Sequence, residues 1–236
     1  MNKHFLLLLF FSTISINSFS QEFSYGLGLK GGVNYSMGGE VRGSKSGANY
    51  WGETVQGVGG LGFHGGAFAQ LNFGKLFFRP EFVYSSLNQE FEIPIKDSNT
   101  VLSAETITVP LLVGYNIYGP VDIYAGPVYS KVLEASIEGE QNNDPVLNIQ
   151  NTPFNVQAGV KVEFGRFGLD IRYEHSLSTE ERQAIDFDNN LFGSPNGGAN
   201  KAWINDGRLN QVIVSATFKI FGTGLGEGRR RGGSCY

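Results

Sequence analysis

Between Phe154 and Leu177 the chain alternates with period two, twice over. Phe154, Val156, Ala158, Val160, Val162 and Phe164 fall on one face, and Asn155, Gln157, Gly159, Lys161 and Glu163 on the other. After the link Gly165–Arg166 the pattern restarts, with Phe167, Leu169, Ile171 and Tyr173 set against Gly168, Asp170, Arg172 and Glu174. Alternation this strict means β-structure whose two faces meet different environments. One face is wholly aliphatic and aromatic, while the other carries full charges of both signs. A soluble sandwich puts such charges in water. A small barrel crossing an outer membrane puts the apolar face in lipid and the charged face in its lumen.

The same pattern recurs along the chain and predicts eight strands. The first is Phe23–Tyr35, with Phe23, Tyr25, Leu27, Leu29, Val33 and Tyr35 opposite Lys30. Leu61–Phe73 sets Leu61, Phe63, Ala67, Ala69 and Leu71 against His64, Gln70 and Asn72, and Leu76–Ser86 sets Leu76, Phe78, Phe82 and Tyr84 against Arg79 and Glu81. Thr106–Tyr118 and Val121–Leu133 follow, the latter with Asp122 on its polar face. The hairpin above supplies the sixth and seventh strands, and Leu209–Phe221 the eighth, with Lys219 on its polar face. Connections alternate in length. Gly74–Lys75, Gly119–Pro120 and Gly165–Arg166 are two-residue links with turn-forming Gly or Pro. Ser36–Gly60, Leu87–Glu105, Glu134–Thr152 and Ser178–Arg208 are long. The expectation is an all-β fold: an eight-stranded antiparallel up-and-down transmembrane β-barrel with short periplasmic turns and long extracellular loops.

Bulk properties agree with one domain of this kind. The chain has 236 residues, with 33 Gly, 19 Phe and 10 Tyr. Its mean hydropathy is only −0.14, which a barrel tolerates because about 9–11 tilted residues per strand cross a bilayer. The formal net charge of −4 is too small to imply a nucleic-acid partner. Lys3 and His4, the apolar run Phe5–Phe11 and the small residues of Ser18-Phe19-Ser20 read as a secretory signal peptide, residues 1–20, cleaved near Ser20–Gln21. The barrel is then expected over residues 21–221 and a Gly/Arg-rich periplasmic tail over 222–236. The single cysteine, Cys235, lies in that tail and cannot form an internal disulfide.

On the polar parity the charges balance. Lys30, Arg79, Lys161, Arg172 and Lys219 stand against Glu81, Asp122, Glu163, Asp170 and Glu174. Such a network suits a closed interior, where an unpaired charge is expensive. Aromatics gather at strand ends, Phe73, Phe78, Tyr118, Phe164, Phe167 and Phe221 toward the turns and Tyr35, Phe63, Tyr84, Phe154 and Tyr173 toward the loops, as interfacial girdles do. The rival architecture is a soluble lipocalin-like barrel with its apolar face inward. The Gly-x-Trp start of such a barrel is missing from the first strand, and Gly, Ser, Thr and Asn on the polar faces suit a narrow lumen better.

At these strands the chain resembles the small outer-membrane β-barrel proteins of Bacteroidetes, the PorT-like or "porin family" proteins. The segments that carry the resemblance are Tyr25–Ser36, Phe78-Arg-Pro-Glu-Phe-Val-Tyr-Ser85, Ile107-Thr-Val-Pro-Leu-Leu-Val-Gly-Tyr115, Tyr124-Ala-Gly-Pro127 and Leu169-Asp-Ile-Arg-Tyr173. The resemblance implies an eight-stranded barrel in the outer membrane and no particular transport activity. One departure is that the last strand does not end the chain, since Gly222–Tyr236 follows it.

For function, an eight-stranded barrel leaves an interior about wide enough for side chains alone, so a small passive leak is the most a channel reading allows. A lipid-modifying enzyme is the second alternative. His175 has Ser178 three residues on, the wrong parity for a shared face, and Glu174 points inward, so a nucleophile and base do not meet. No catalytic, cofactor or metal residues are expected. His64 reads as a lumen hydrogen-bonding residue, and Asp186–Asn190 lacks the Gly and distal Glu of an EF-hand loop. Arg229–Arg231 reads as a solvated tail. The leading expectation is a non-enzymatic structural or interaction platform, surrounded by outer-membrane lipid. It meets an envelope protein or extracellular ligand through loop residues such as Trp51, Phe91, Phe187, Phe192 and Trp203.

Overall fold

The computed structural model describes residues 23–43, 52–93, 99–138, 152–178, 183–187, 200–206 and 208–223. The segment expected as a signal peptide, Trp51, Asp188–Asn190, Phe192, Arg229–Arg231 and Cys235 lie outside the described residues, as do the side chains of Asp186 and Phe187.

Thirteen strands are formed among the described residues: β1 (Phe23–Met37), β2 (Glu40–Gly43), β3 (Thr54–Gln56), β4 (Val58–Gly59), β5 (Leu61–Phe73), β6 (Leu76–Phe91), β7 (Thr100–Tyr118), β8 (Val121–Ile137), β9 (Phe154–Phe164), β10 (Phe167–Ser176), β11 (Gln183–Phe187), β12 (Asn200–Asp206) and β13 (Asn210–Gly222). Eight of them close a ring in the order β1, β5, β6, β7, β8, β9, β10, β13 and back to β1, every neighbour antiparallel. The last strand closes on the first through pairs such as Leu29↔Phe218, Val33↔Val214 and Tyr35↔Val212, so the barrel has no free edge. The three two-residue links stand where the sequence put them. Gly74, Gly119 and Gly165 take φ of +60°, +57° and +60°, the left-handed value that the first central residue of a type II′ hairpin requires and that Gly adopts without strain.

The alternation resolves into an outside and an inside. Phe63, Leu169 and Phe164 are 69%, 62% and 65% exposed on the outer wall, which faces lipid. Phe23 and Phe73 sit 5.4 Å apart and Phe167 and Phe218 5.0 Å apart at the turn end, and Tyr129 and Phe154 6.1 Å apart toward the loop end. Charged and amide side chains of the polar parity, such as Lys30, Gln70, Arg79, Glu81, Asp122 and Arg172, turn inward and are buried. A lipocalin-like barrel requires the reverse, so that alternative does not stand.

The long connections differ from expectation. β6, β7 and β8 run to 16, 19 and 17 residues, well beyond the roughly 9–11 that cross a bilayer. They therefore project past the membrane on the extracellular side. Segments read as loops between Ser36 and Gly60 and between Ser178 and Arg208 contribute a second sheet in the order β11-β12-β2-β3. Val41, Ile185, Ala202 and Ile204 of that sheet join Leu87, Phe91, Ile93, Leu102, Ala104 and Ile137 in one buried apolar cluster. The barrel thus carries an ordered extracellular cap with its own small hydrophobic core.

Candidate functional site

The lumen is built from the inward parity of all eight barrel strands. Glu81 on β6 is its hub. It accepts Lys30 Nζ at 2.9 Å, stands 2.8 Å from Arg79 Nε, and accepts both terminal nitrogens of Arg172 at 2.9 and 3.2 Å. Arg172 also donates to Asp170 two residues earlier on β10 and to Gln157 Oε1 at 3.0 Å. Nearer the periplasmic turns, Lys161 Nζ lies 2.7 Å from Glu163 and 3.2 Å from Asp122, and donates to Gln70 at 2.8 Å. Lys219 donates to Glu163 at 2.8 Å, and Arg79 lies 3.8 Å from the same carboxylate. Glu174 differs from the other carboxylates: it is held by amides, from Asn155 at 2.6 Å and from Gln157, with no ion pair among the described residues. Its link to the network therefore runs through Gln157, which joins it to Arg172. All ten charged residues singled out in the sequence face this interior. They divide into two balanced groups: Lys30, Arg79 and Arg172 with Glu81, Asp170 and Glu174, and Lys161 and Lys219 with Asp122 and Glu163.

Sequence parity overlooked a set of inward rings. Phe68, Phe77 and Tyr124 are 4%, 2% and 5% exposed, on the same faces as the charges. Arg79 lies over the Phe68 ring at 3.9 Å, Lys161 over Phe77 at 4.2 Å and Arg172 over Tyr124 at 5.1 Å. The ring face attracts a desolvated cation, so each ring both fills space and supports a charge. Glycine makes the room: a Cβ at Gly114 would lie 2.1 Å from the Phe77 ring, and one at Gly28 would lie 2.6 Å from Phe68. The signal was present, since Phe68, Phe77 and Tyr124 share parity with Gln70, Arg79 and Asp122. With these side chains in place the interior is packed among the described residues, and two of its voids, of about 20 and 10 Å³, each offer room for roughly one water. His64, also inward, shares a 2.9 Å hydrogen bond with Ser215.

The cap's outer face is a small organised surface. Trp203 on β12 lies across from Ala184 on one side and Arg42 on the other, and Arg42 lies across from Thr54. Beside this row, the Glu40 carboxylate accepts Gln56 Nε2 at 2.9 Å and Asn205 Nδ2 at 2.8 Å. Trp203 is half-buried and Arg42 exposed. Phe91, expected as an exposed loop contact, is instead 1% exposed within the cap core, because the alternation of β6 continues inward past the membrane. At the end of β12 burial raises the Asp206 carboxyl, but hydrogen bonds and charge from Arg208 outweigh it and hold it below the usual carboxylate range.

The residues of the enzyme alternative do not converge. His175 points outward and stacks on Tyr173 at 6.4 Å. Glu174 points inward, and the Ser178 hydroxyl donates to the Thr152 carbonyl at 3.2 Å.

A family model described as "Outer membrane protein beta-barrel domain" matches residues 19–181, more than half of the chain. Among curated proteins none matches. Among solved structures, the crystal structure of the outer membrane protein OprG from Pseudomonas aeruginosa is similar, with a TM-score of 0.49 at 9% identity over 85% of this chain and 97% of that one. Pseudomonas aeruginosa OpdQ aligns with a TM-score of 0.18 at 9% identity, over 84% of this chain and 98% of that one.

Proposed function

The chain belongs to the outer-membrane β-barrel domain family, and from that premise we propose that it is a non-enzymatic interaction platform that acts through its extracellular cap. The observation that carries this reading is the division of the molecule into a filled lumen and an ordered cap. Among the described residues, ten charges, three rings and their amide partners occupy the interior, and two of its voids, of about 20 and 10 Å³, each have room for roughly one water. The cap, by contrast, packs a four-stranded sheet against its own core and presents Trp203, Arg42 and the Glu40–Gln56–Asn205 row outward. A rigid scaffold presenting loops is where recognition concentrates, and Trp and Arg are the residues that most often anchor contacts. The partner class we propose is an envelope protein or an extracellular ligand, with the barrel wall in outer-membrane lipid and no nucleic acid or cofactor involved.

The segments Tyr25–Ser36, Phe78–Ser85, Ile107–Tyr115 and Tyr124–Pro127 support placing the chain with the PorT-like proteins of Bacteroidetes. A signal peptide cleaved near Ser20–Gln21 and a periplasmic tail belong to the same reading. The test is co-purification from native outer membranes in mild detergent, with Trp203→Ala/Arg42→Ala as the comparison. A stoichiometric companion lost in the double variant supports the platform. A companion retained in full by the double variant moves the contact elsewhere, and the barrel recovered alone with no bound ligand refutes the reading. His175→Ala should leave function intact, and loss of activity in that variant would favour the enzyme alternative.

A further inference from the structure

The cap sheet is a continuation of the barrel wall. The ladder between β1 and β13 runs on into the ladder between β2 and β12: Tyr35↔Val212 and Met37↔Asn210 are followed by Glu40↔Asp206, Val41↔Ile204 and Arg42↔Trp203. Gly38 and Gly39, at φ of +99° and +80°, stand at the joint. Each face carries through it. Inward Asn34 and Ser36 lead to Val41 and Ile204 in the cap core, and outward Val33 and Tyr35 lead to Glu40 and Arg42. Trp203, Arg42 and the Glu40–Gln56–Asn205 row therefore stand above the lipid-facing wall rather than over the barrel mouth. Strands that rise about 3.3 Å per residue at a tilt near 40° place Arg42 roughly 15–20 Å above Tyr35 in the aromatic girdle.

Height and chemistry together specify an occupant. A phospholipid head-group layer is only about 5–7 Å deep and ends below this row, whereas a glycolipid carrying several sugars reaches it. Trp203 lies across from the small Ala184, which cannot reach over the indole, and an indole packs well against the C–H face of a sugar ring. Gln56 and Asn205 each give one proton to the Glu40 carboxylate, which leaves each amide a second N–H and its carbonyl oxygen for hydroxyls. Arg42, exposed beside Trp203, supplies a guanidinium for a phosphate or carboxylate. The outer face of β6, β7 and β8 presents Glu90, Glu105 and Glu134 against Lys131 among the described residues, with Glu105 directly across from Glu134. That face suits an anionic lipid poorly. We propose that the outer face of the cap sheet binds the sugar head group of an anionic outer-leaflet glycolipid, with Trp203 under a sugar ring, Arg42 on its acidic group and the Glu40–Gln56–Asn205 row on its hydroxyls. This names a ligand for the platform proposed above and rests on that reading.

The experiment titrates the full barrel in detergent with lipopolysaccharide carrying its core sugars, with the same glycolipid stripped of those sugars, and with phosphatidylglycerol. The variants are Trp203→Ala, Trp203→Tyr and Arg42→Ala, and the heat-dependent gel shift and protease resistance of the cap confirm that they are folded. The expected result is preferential binding of the sugar-bearing form, weakened about tenfold or more by Trp203→Ala and by Arg42→Ala and largely kept by Trp203→Tyr. Equal binding of all three lipids by wild type, or wild-type affinity in folded Trp203→Ala, would overturn the proposal. An absence of glycolipid binding, with a protein companion still held through Trp203 and Arg42 in co-purification, overturns the glycolipid and leaves the platform standing. Loss of both overturns both.

Discussion

Glu81→Gln keeps the shape of the lumen's central side chain and removes the charge that three cations share. Lys30, Arg79 and Arg172 all lie between 2.8 and 3.2 Å from its oxygens. At an effective dielectric of about 20, each such contact carries roughly 5–6 kcal/mol of gross attraction. Much of that is offset by desolvation. Removing one partner of a buried pair nevertheless costs on the order of 3–5 kcal/mol, because the other charge stays buried and uncompensated. The Gln side chain makes matters worse on one side, since its NH₂ presents donors to a guanidinium that also only donates. Lys30 and Arg79 lose their nearest carboxylate while Arg172 keeps Asp170, which places the expected loss within that range, at about 4 kcal/mol. The assay is urea unfolding in phospholipid vesicles, read by gel shift and Trp fluorescence. A lower midpoint with an unchanged slope marks a stability change rather than a change in the unfolded state. Adding Lys30→Met to Glu81→Gln should recover part of the loss, a coupling expected only for side chains in one network. Lys219→Ala is the control: Lys219 is 15% exposed and its partner Glu163 keeps Lys161 at 2.7 Å, so no carboxylate is left uncompensated and the loss should be well below that of Glu81→Gln. A folded Glu81→Gln barrel within about 1 kcal/mol of wild type would refute the reasoning that the network is held by its hub.

Gly114→Ala should destabilise by roughly 1–3 kcal/mol, since its Cβ meets the Phe77 ring at 2.1 Å in a packed interior, and the same urea series would show it. Ile204→Asp should unfold the cap while sparing the barrel, because an unpaired charge replaces a side chain 4% exposed in the cap core. Protease added outside intact cells should then cut the cap segments of a protein whose gel shift is retained. Asp206 has its carboxyl lowered by Arg208, so that contact contributes above the ordinary carboxylate pKa and is lost as pH falls through the lowered value. Amide exchange at the Arg208 N–H, which donates to Asp206 at 2.9 Å, should be insensitive to this group from neutral to about pH 5 and lose protection in stronger acid.

The barrel was legible because each of its strands repeats one rule. The period-two pattern of β9 and β10 fixes which side chains face inward, and the Gly-bearing links at 74, 119 and 165 fix where the chain reverses. The cap was illegible for a physical reason. Its strands are short, three to seven residues in β2, β3, β11 and β12, and the pairing that joins its two halves, β2 with β12, links segments more than a hundred residues apart, as in Val41↔Ile204. Local periodicity carries no information about such pairings. Part of the cap was nevertheless readable. Arg79, Glu81, Val83, Ser85, Leu87, Gln89 and Phe91 share one parity, and the change from charge to Leu and Phe marks the point where the lumen ends and an apolar core begins. Following that parity past Ser86 would have buried Phe91 rather than exposing it. The inward rings were missed by attending to charges alone, since Phe77 adjoins the outward Phe78 and only its register sets it apart.

The account rests on a lumen closed by its own side chains, and single-channel recording of the purified barrel in planar bilayers tests that most directly. The expected result is a silent membrane in wild type, with at most brief openings of irregular size. Stable unitary currents of reproducible size, altered by Glu81→Gln or Lys219→Ala, would contradict it and make the protein a channel.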